Sequence, residues 1–193
     1  RHLMDFGKKK FPVDVKVHRT KALNFFALYN RDQSKIPHAG FASGKDKGFK
    51  STVSRFIRGN FFIPDPRRGW NRFAFRRASE LIRSQNITHI ITTSPPHSTQ
   101  LIGLRLKRRF PGLKWVADLR DPWTDIYYYD MFRPSLPARM LDRNLEKRVL
   151  SRADRIITVG KTLASLLAAK TEAVAGKTEI LPNGFDEEDF QGV

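Results

Sequence analysis

Asp118-Leu119-Arg120-Asp121-Pro122-Trp123 gathers two carboxylates and a guanidinium into four residues and ends on an indole. Carboxylates accept hydrogen bonds from hydroxyl groups, and the Arg fork donates in a fixed plane to carboxylate or phosphate oxygens. The set suits a ligand that carries both hydroxyls and phosphate; its plainer alternative is an Asp/Arg pair that braces a turn. The second candidate is Ser94-Pro95-Pro96-His97-Ser98. As a helix start, with Ser94 as N-cap and proline in the first turn, it offers free N–H groups to an anion. His97 and Ser98 would add direct bonds to a phosphate or sugar. Ordinary capping is the alternative there.

Other chemistries fail on composition or spacing. Gly160-Lys161-Thr162 and Gly176-Lys177-Thr178 look like the tail of a phosphate-binding loop, but the required first glycine falls at Arg155 and Thr171. No Gly-x-Gly-x-x-Gly occurs, and the five His residues (2, 18, 38, 89 and 97) show no metal-ligand spacing. With no Cys, thiol catalysis, disulfide scaffolds and Cys-based metal sites are excluded. Neither a metal nor a cofactor is expected.

Charge is the loudest global signal. The 193 residues carry 36 Lys/Arg and 19 Asp/Glu, a net charge of +17. Residues 1–77 hold 19 of the basic groups and 5 of the acidic ones. Such a surface calls for an anionic partner: nucleic acid, acidic phospholipid or a phosphorylated substrate. The densest stretch interleaves Phe56, Phe61, Phe62 and Trp70 with Arg55, Arg58, Arg67 and Arg68. At a membrane surface the rings enter the interface while Arg meets the headgroups, which makes Arg55, Arg58, Phe61, Phe62 and Trp70 membrane-facing candidates. The alternatives are a nucleic-acid face, with bases stacked on the rings, and a core helix with a solvated basic side. None of the usual nucleic-acid-binding signatures is present.

The elements that must position these residues follow from periodicity. Residues 13–19 alternate apolar and polar, as a short strand does, and Gly40 to Lys50 has loop composition. Helix-biased sequence runs from Ser51 to Gln85, broken at Pro64 and Pro66. From there strands and helices alternate. Strands are expected at Thr88–Thr93, Lys114–Leu119, Arg155–Val159 and Glu179–Leu181. The intervening helices carry Ile102, Leu106 and Phe110; then Leu141, Leu145 and Val149; and a third begins near Thr162. Such alternation builds a parallel sheet through right-handed crossovers, with ligands at the carboxyl ends of the strands. Those ends are Ser94–Ser98, Asp118–Trp123 and Gly160–Thr162.

Four stretches in order then carry a resemblance: Ile57–Asp65, Ile91–Ser98, Ala117–Thr124 and Leu181–Asp186. Together they resemble the N-terminal, acceptor-side domain of a GT-B glycosyltransferase of family 4, of the bacterial surface-polysaccharide type. The resemblance implies an α/β fold, a Rossmann-like parallel sheet with flanking helices, lacking its first strand or strands. Residues 1–182 would be the acceptor domain and 183–193 the start of the interdomain linker, the donor-binding domain being absent. The whole enzyme would move a sugar from a nucleotide-sugar to a polyprenyl-linked or glycan acceptor, with retention and without a metal, and these residues alone would be silent. Asp118 and Asp121 would be the catalytic pair; Ser94, His97, Ser98, Arg120 and Trp123 would line the substrate cleft. The expected setting is cytoplasmic, peripheral on the inner face of the cell membrane, against its anionic surface and with no nucleic acid. A basic non-catalytic module that binds nucleic acid or anionic membrane is the rival reading.

Overall fold

A computed structural model describes residues 15–23 and 49–184. Two helices come first, α1 (Phe49–Phe61) and α2 (Asn71–Gln85), joined through a 3-10 turn at Pro66–Trp70. Alternation then begins: β1 (His89–Ser94), α3 (Ser98–Arg109), β2 (Lys114–Leu119), a 3-10 turn at Tyr129–Phe132 and α4 (Leu136–Arg152). It continues with β3 (Arg155–Thr158), α5 (Lys161–Ala168), a 3-10 turn at Glu172–Val174 and β4 (Thr178–Ile180). The α/β reading with a parallel sheet flanked by helices holds.

The four strands pair in the order β1-β2-β3-β4, every neighbour parallel. Each step moves the same way across the sheet, so right-handed crossovers return α3, α4 and α5 to one face. On that face Trp115, Ala117, Leu119 and Ile156 are fully buried against Leu104, Val149, Leu150, Leu163 and Leu167. Burial of each large side chain contributes roughly 1.5–3 kcal/mol. Trp115 lies over Gly103 of α3, and its Nε1 donates to Thr92 Oγ1 at 2.8 Å. On the opposite face His89, Ile91 and Thr93 of β1 are exposed, Ile91 by 65%. A smaller cluster of Ala74, Ile82, Ile102, Leu106 and Leu113 fixes α2 to α3.

Three local expectations are corrected. Residues 13 and 14 lie outside the described residues, and 15–23 form no strand. Val15 and Val17 are exposed, and the segment instead lies along the start of α2, where Leu23 N–H donates to the Gly69 carbonyl at 3.3 Å. Trp70 Nε1 donates to Thr20 Oγ1 at 2.7 Å in the same strap. Of the expected loop at 40–50, residues 40–48 lie outside the described set, and Phe49 and Lys50 already belong to α1. In α4 the expected stripe is only partly inward: Val149 is buried but Leu141 is 49% exposed. The helix is turned so that Asp142 and Glu146 face inward with Ala138 and Val149. Their hydrogen bonds, given below, decide that rotation.

Candidate active site

The carboxyl ends of β1, β2 and β4 converge. Ser94 closes β1, and its carbonyl accepts from the Arg120 N–H at 3.1 Å, which holds the turn after β2 against the end of β1. Beyond β4 the Leu181 N–H donates to the Thr158 carbonyl at 2.8 Å and carries Asn183 to the same edge.

Asp118, the penultimate residue of β2, is 5% exposed. Its Oδ2 accepts from Arg120 Nε at 3.0 Å, and Arg120 Nη1 donates onward to Asn183 Oδ1. The guanidinium thus ties two of the four motif stretches together, at the ends of different strands. The pair does brace the turn. It also leaves Asp118 Oδ1 buried and without a hydrogen-bond partner among the described residues, an acceptor open to a donor. Asp121, one residue past Arg120, is exposed.

His97 stacks on Trp123, ring centroids 5.1 Å apart and planes 10° from parallel. Burial lowers its pKa to about 4, against a hydrogen bond to the Pro122 carbonyl that works the other way. The ring is therefore neutral near pH 7. With its proton on the nitrogen that faces Pro122, the buried Nδ1, which has no partner among the described residues, is an acceptor.

The helix start is corrected. Ser94 is the last residue of β1, fully buried; its Oγ accepts from Gln100 Nε2 at 2.9 Å and donates to the Asp118 carbonyl at 3.3 Å. The peptides Ser94–Pro95 and Pro95–Pro96 are cis, and α3 begins only at Ser98, so neither the N-cap nor the proline of the first turn is as expected. The anion at this N-terminus is the chain's own. Asp65 Oδ2 accepts from the Ser98 N–H at 2.7 Å and Oδ1 from Ser98 Oγ at 2.9 Å. Ser98, 1% exposed, has both donors engaged and offers none to a ligand.

Behind Trp123 lies a layer of buried carboxylates that the sequence did not disclose. Asp142 accepts from Trp123 Nε1 at 2.8 Å and from the Tyr129 hydroxyl at 3.0 Å. Burial raises its pKa to about 6, only partly offset by those two donors. Glu146, 1% exposed, accepts from Thr124 Oγ1 at 2.6 Å and pairs with Lys170 Nζ at 2.9 Å. Burial pushes its carboxyl up as well. The layer holds Trp123, and through it His97, in place.

The membrane-facing candidates divide. Phe61 is 68% exposed, whereas Arg55, Arg58 and Phe62 are half-buried and Arg58 lies 3.9 Å over the Phe132 ring. Trp70 is bound to Thr20 as above. Among the described residues no three His, Cys, Asp or Glu side chains cluster as metal ligands, and no helix is long and apolar enough to cross a membrane.

A family model described as Glycosyltransferase Family 4 matches residues 35–189. That span holds β1 to β4 and every residue of the strand-end cluster. No curated protein and no solved structure compared with the chain matches it.

Proposed function

The chain belongs to glycosyltransferase family 4, and from that premise we propose that it supplies the acceptor-side half of an enzyme that moves a sugar from a nucleotide-sugar to a polyprenyl-linked or glycan acceptor. The product enters a capsule, lipopolysaccharide or exopolysaccharide of a bacterial surface. One observation carries the reading: Asp118, Arg120 and Asn183 meet at the carboxyl edge of the sheet and leave Asp118 Oδ1 as a buried, unused acceptor.

In this reading Asp118 and Asp121 accept from sugar hydroxyls at the reaction centre. Arg120 donates to a phosphate while it holds Asp118 in line, and neutral His97 accepts a further hydroxyl through Nδ1. Trp123 supplies the apolar wall behind His97. Ser94 and Ser98 act indirectly, by fixing the loop between β1 and α3. Transfer proceeds with retention and without a metal, as the family resemblance implies. The donor nucleotide-sugar is held by the other half of the enzyme.

The site works at the cytoplasmic face of the cell membrane, where a polyprenyl-linked acceptor is presented. The surplus of basic residues in the first 77 supports that placement, since each Lys or Arg near an anionic surface contributes ~1 kcal/mol.

The test is a transfer assay of the natural polypeptide with UDP-, GDP- and ADP-sugars and lipid extracts as acceptors, with and without chelator. Product anomers are read by NMR. Asp118→Asn abolishing transfer, with the fold retained, supports the reading; full activity in Asp118→Asn overturns it.

A further inference from the structure

Asp142 lies on the inward face of α4, one helical turn before Glu146, and is 4% exposed. Its two oxygens serve different segments. Oδ1 accepts from Trp123 Nε1 at 2.8 Å, in the stretch that follows β2. Oδ2 accepts from the Tyr129 hydroxyl at 3.0 Å, in the 3-10 turn before α4. The end of that turn is anchored to α1. Asn60 Nδ2 donates to the Arg133 carbonyl at 3.2 Å, and Asn60 Oδ1 accepts from the Ser135 N–H at 2.8 Å. Gly59 permits the approach, since a Cβ there would collide with the Phe132 backbone oxygen. Asp142 is thus held from one side by an anchored turn while it holds Trp123 on the other.

A buried charge is a poor way to pack a helix. Burial raises the Asp142 carboxyl to about 6, and an apolar side chain between Ala138 and Val149 would fill the space without that penalty. What an apolar side chain cannot supply is direction. An indole N–H lies in the plane of its ring, so the bond to Asp142 fixes the rotation of Trp123 as well as its position. The His97 imidazole stacks within 10° of parallel on that indole, and its other constraint is the hydrogen bond to the Pro122 carbonyl. The lone pair on Nδ1 lies in the imidazole plane. The plane of Trp123 therefore sets the direction in which His97 accepts.

We propose that Asp142 is a positioning residue for sugar transfer: through Trp123 it aims the Nδ1 acceptor of His97 at a substrate hydroxyl, without touching the substrate itself. The inference deepens the site proposed above and rests on it. The alternative is a simple brace, and the two differ in what they do to a folded variant. A brace alters only the fraction of molecules folded. A positioning residue alters the rate of folded molecules, and here it does so through one bond to one ring.

Transfer by the natural polypeptide is measured with UDP-, GDP- and ADP-sugars and lipid extracts, beside the urea curve of each variant. Asp142→Asn still offers an oxygen to the indole and is expected to keep kcat/KM within about three-fold of wild type, whereas Asp142→Leu, which fills the space but accepts nothing, should lower it about ten-fold while folded. Trp123→Phe keeps a ring for His97 to stack on but has no N–H, and should match Asp142→Leu. Because both remove the same bond, Asp142→Leu/Trp123→Phe should again lose about ten-fold, not a hundred-fold. A hundred-fold loss in the double variant, a wild-type rate in Asp142→Leu, or an Asp142→Asn as slow as Asp142→Leu overturns the inference and leaves the transfer reading standing. Should Asp142→Leu fail to fold, Trp123→Phe tests the bond from its other end, and a wild-type rate there overturns it. No transfer by wild type with any of the donors overturns the reading and the inference together.

Discussion

The carboxylate of Asp65 closes the N-terminus of the helix that begins at Ser98, thirty-three residues away, through bonds of 2.7 and 2.9 Å. It also accepts from the Arg67 N–H at 2.9 Å, so one side chain orders the turn after α1 and the loop after β1. Asn71 Nδ2 adds a 2.7 Å bond to the Ser98 carbonyl. Asp65→Ala strands the buried Ser98 donors and is expected to cost about 2 kcal/mol. Asp65→Asn, which keeps an acceptor, should cost roughly half of that by the same capping argument. Urea midpoints measure both, and an unchanged midpoint in Asp65→Ala would mean that the helix start is satisfied elsewhere.

Two groups on either side of Trp123 give opposite responses to acid. Asp142 ionises near 6 when folded against an ordinary value of 3.8, so the stability tied to it is full below about 4 and lost as pH rises through 6. His97 titrates near 4 when folded against 6.5, so its contribution is full above 6.5 and lost as pH falls through 4. At ~1.4 kcal/mol per pKa unit each amounts to about 3 kcal/mol, with opposite slopes. Wild type should therefore show little net slope from this pair between pH 4 and 6.5. Asp142→Asn should lose stability on acidification across that window relative to wild type. His97→Gln should gain it. Chemical denaturation at several pH values checks the signs, and parallel curves for all three proteins would refute the assignment.

What the sequence showed and what it hid have separate causes. Lys114–Leu119 was legible to the residue because a buried parallel strand needs an apolar run bounded by turns, and Pro111-Gly112 supplied one boundary. Ser94 misled because Ser followed by Pro is a common cap signature, while its actual bonds come from Gln100 and the Asp118 carbonyl in other elements. Asp142 and Glu146 stayed hidden since acids four apart on a helix ordinarily face water. Their partners Trp123, Tyr129, Thr124 and Lys170 lie 13 to 24 positions away. The one available signal was the inward series Ala138, Asp142, Glu146 and Val149, which keeps helical spacing only if acids are admitted to it. Arg120 and Asn183 stood in separate motifs, and only the fold joins them.

Packing of α3 on β2 turns on a single hydrogen atom. A Cβ at Gly103 would enter the Trp115 indole, which is fully buried and donates to Thr92 Oγ1. Neither side chain can yield without breaking that bond or the Gln100–Thr92 bond of 2.6 Å beside it. Gly103→Ala is expected to destabilise by about 1–3 kcal/mol despite the better helix propensity of alanine. A raised unfolding midpoint would show that the helix can shift away from the strand.

Arg120 separates a structural from a functional role at the strand ends. Its side chain is 35% exposed but that of its partner Asp118 only 7%, so removing the charge would strand a buried carboxylate, whereas a lysine keeps a cation beside it. Its geometry is another matter: one nitrogen holds Asp118 while another holds Asn183, a fork that a lysine ammonium cannot reproduce. Arg120→Lys should accordingly leave the unfolding midpoint within about 1 kcal/mol of wild type and lower kcat/KM for sugar transfer roughly a hundredfold, the order expected when one preorganised donor is lost. Asn183→Ala, which frees one arm of the fork but leaves the guanidinium on Asp118, should fall between the two. Steady-state transfer by the natural polypeptide, set beside its denaturation curve, decides it. A loss of stability that accounts for the loss of rate would reduce Arg120 to a brace; a rate loss at constant stability would place it on the reacting sugar or its phosphate.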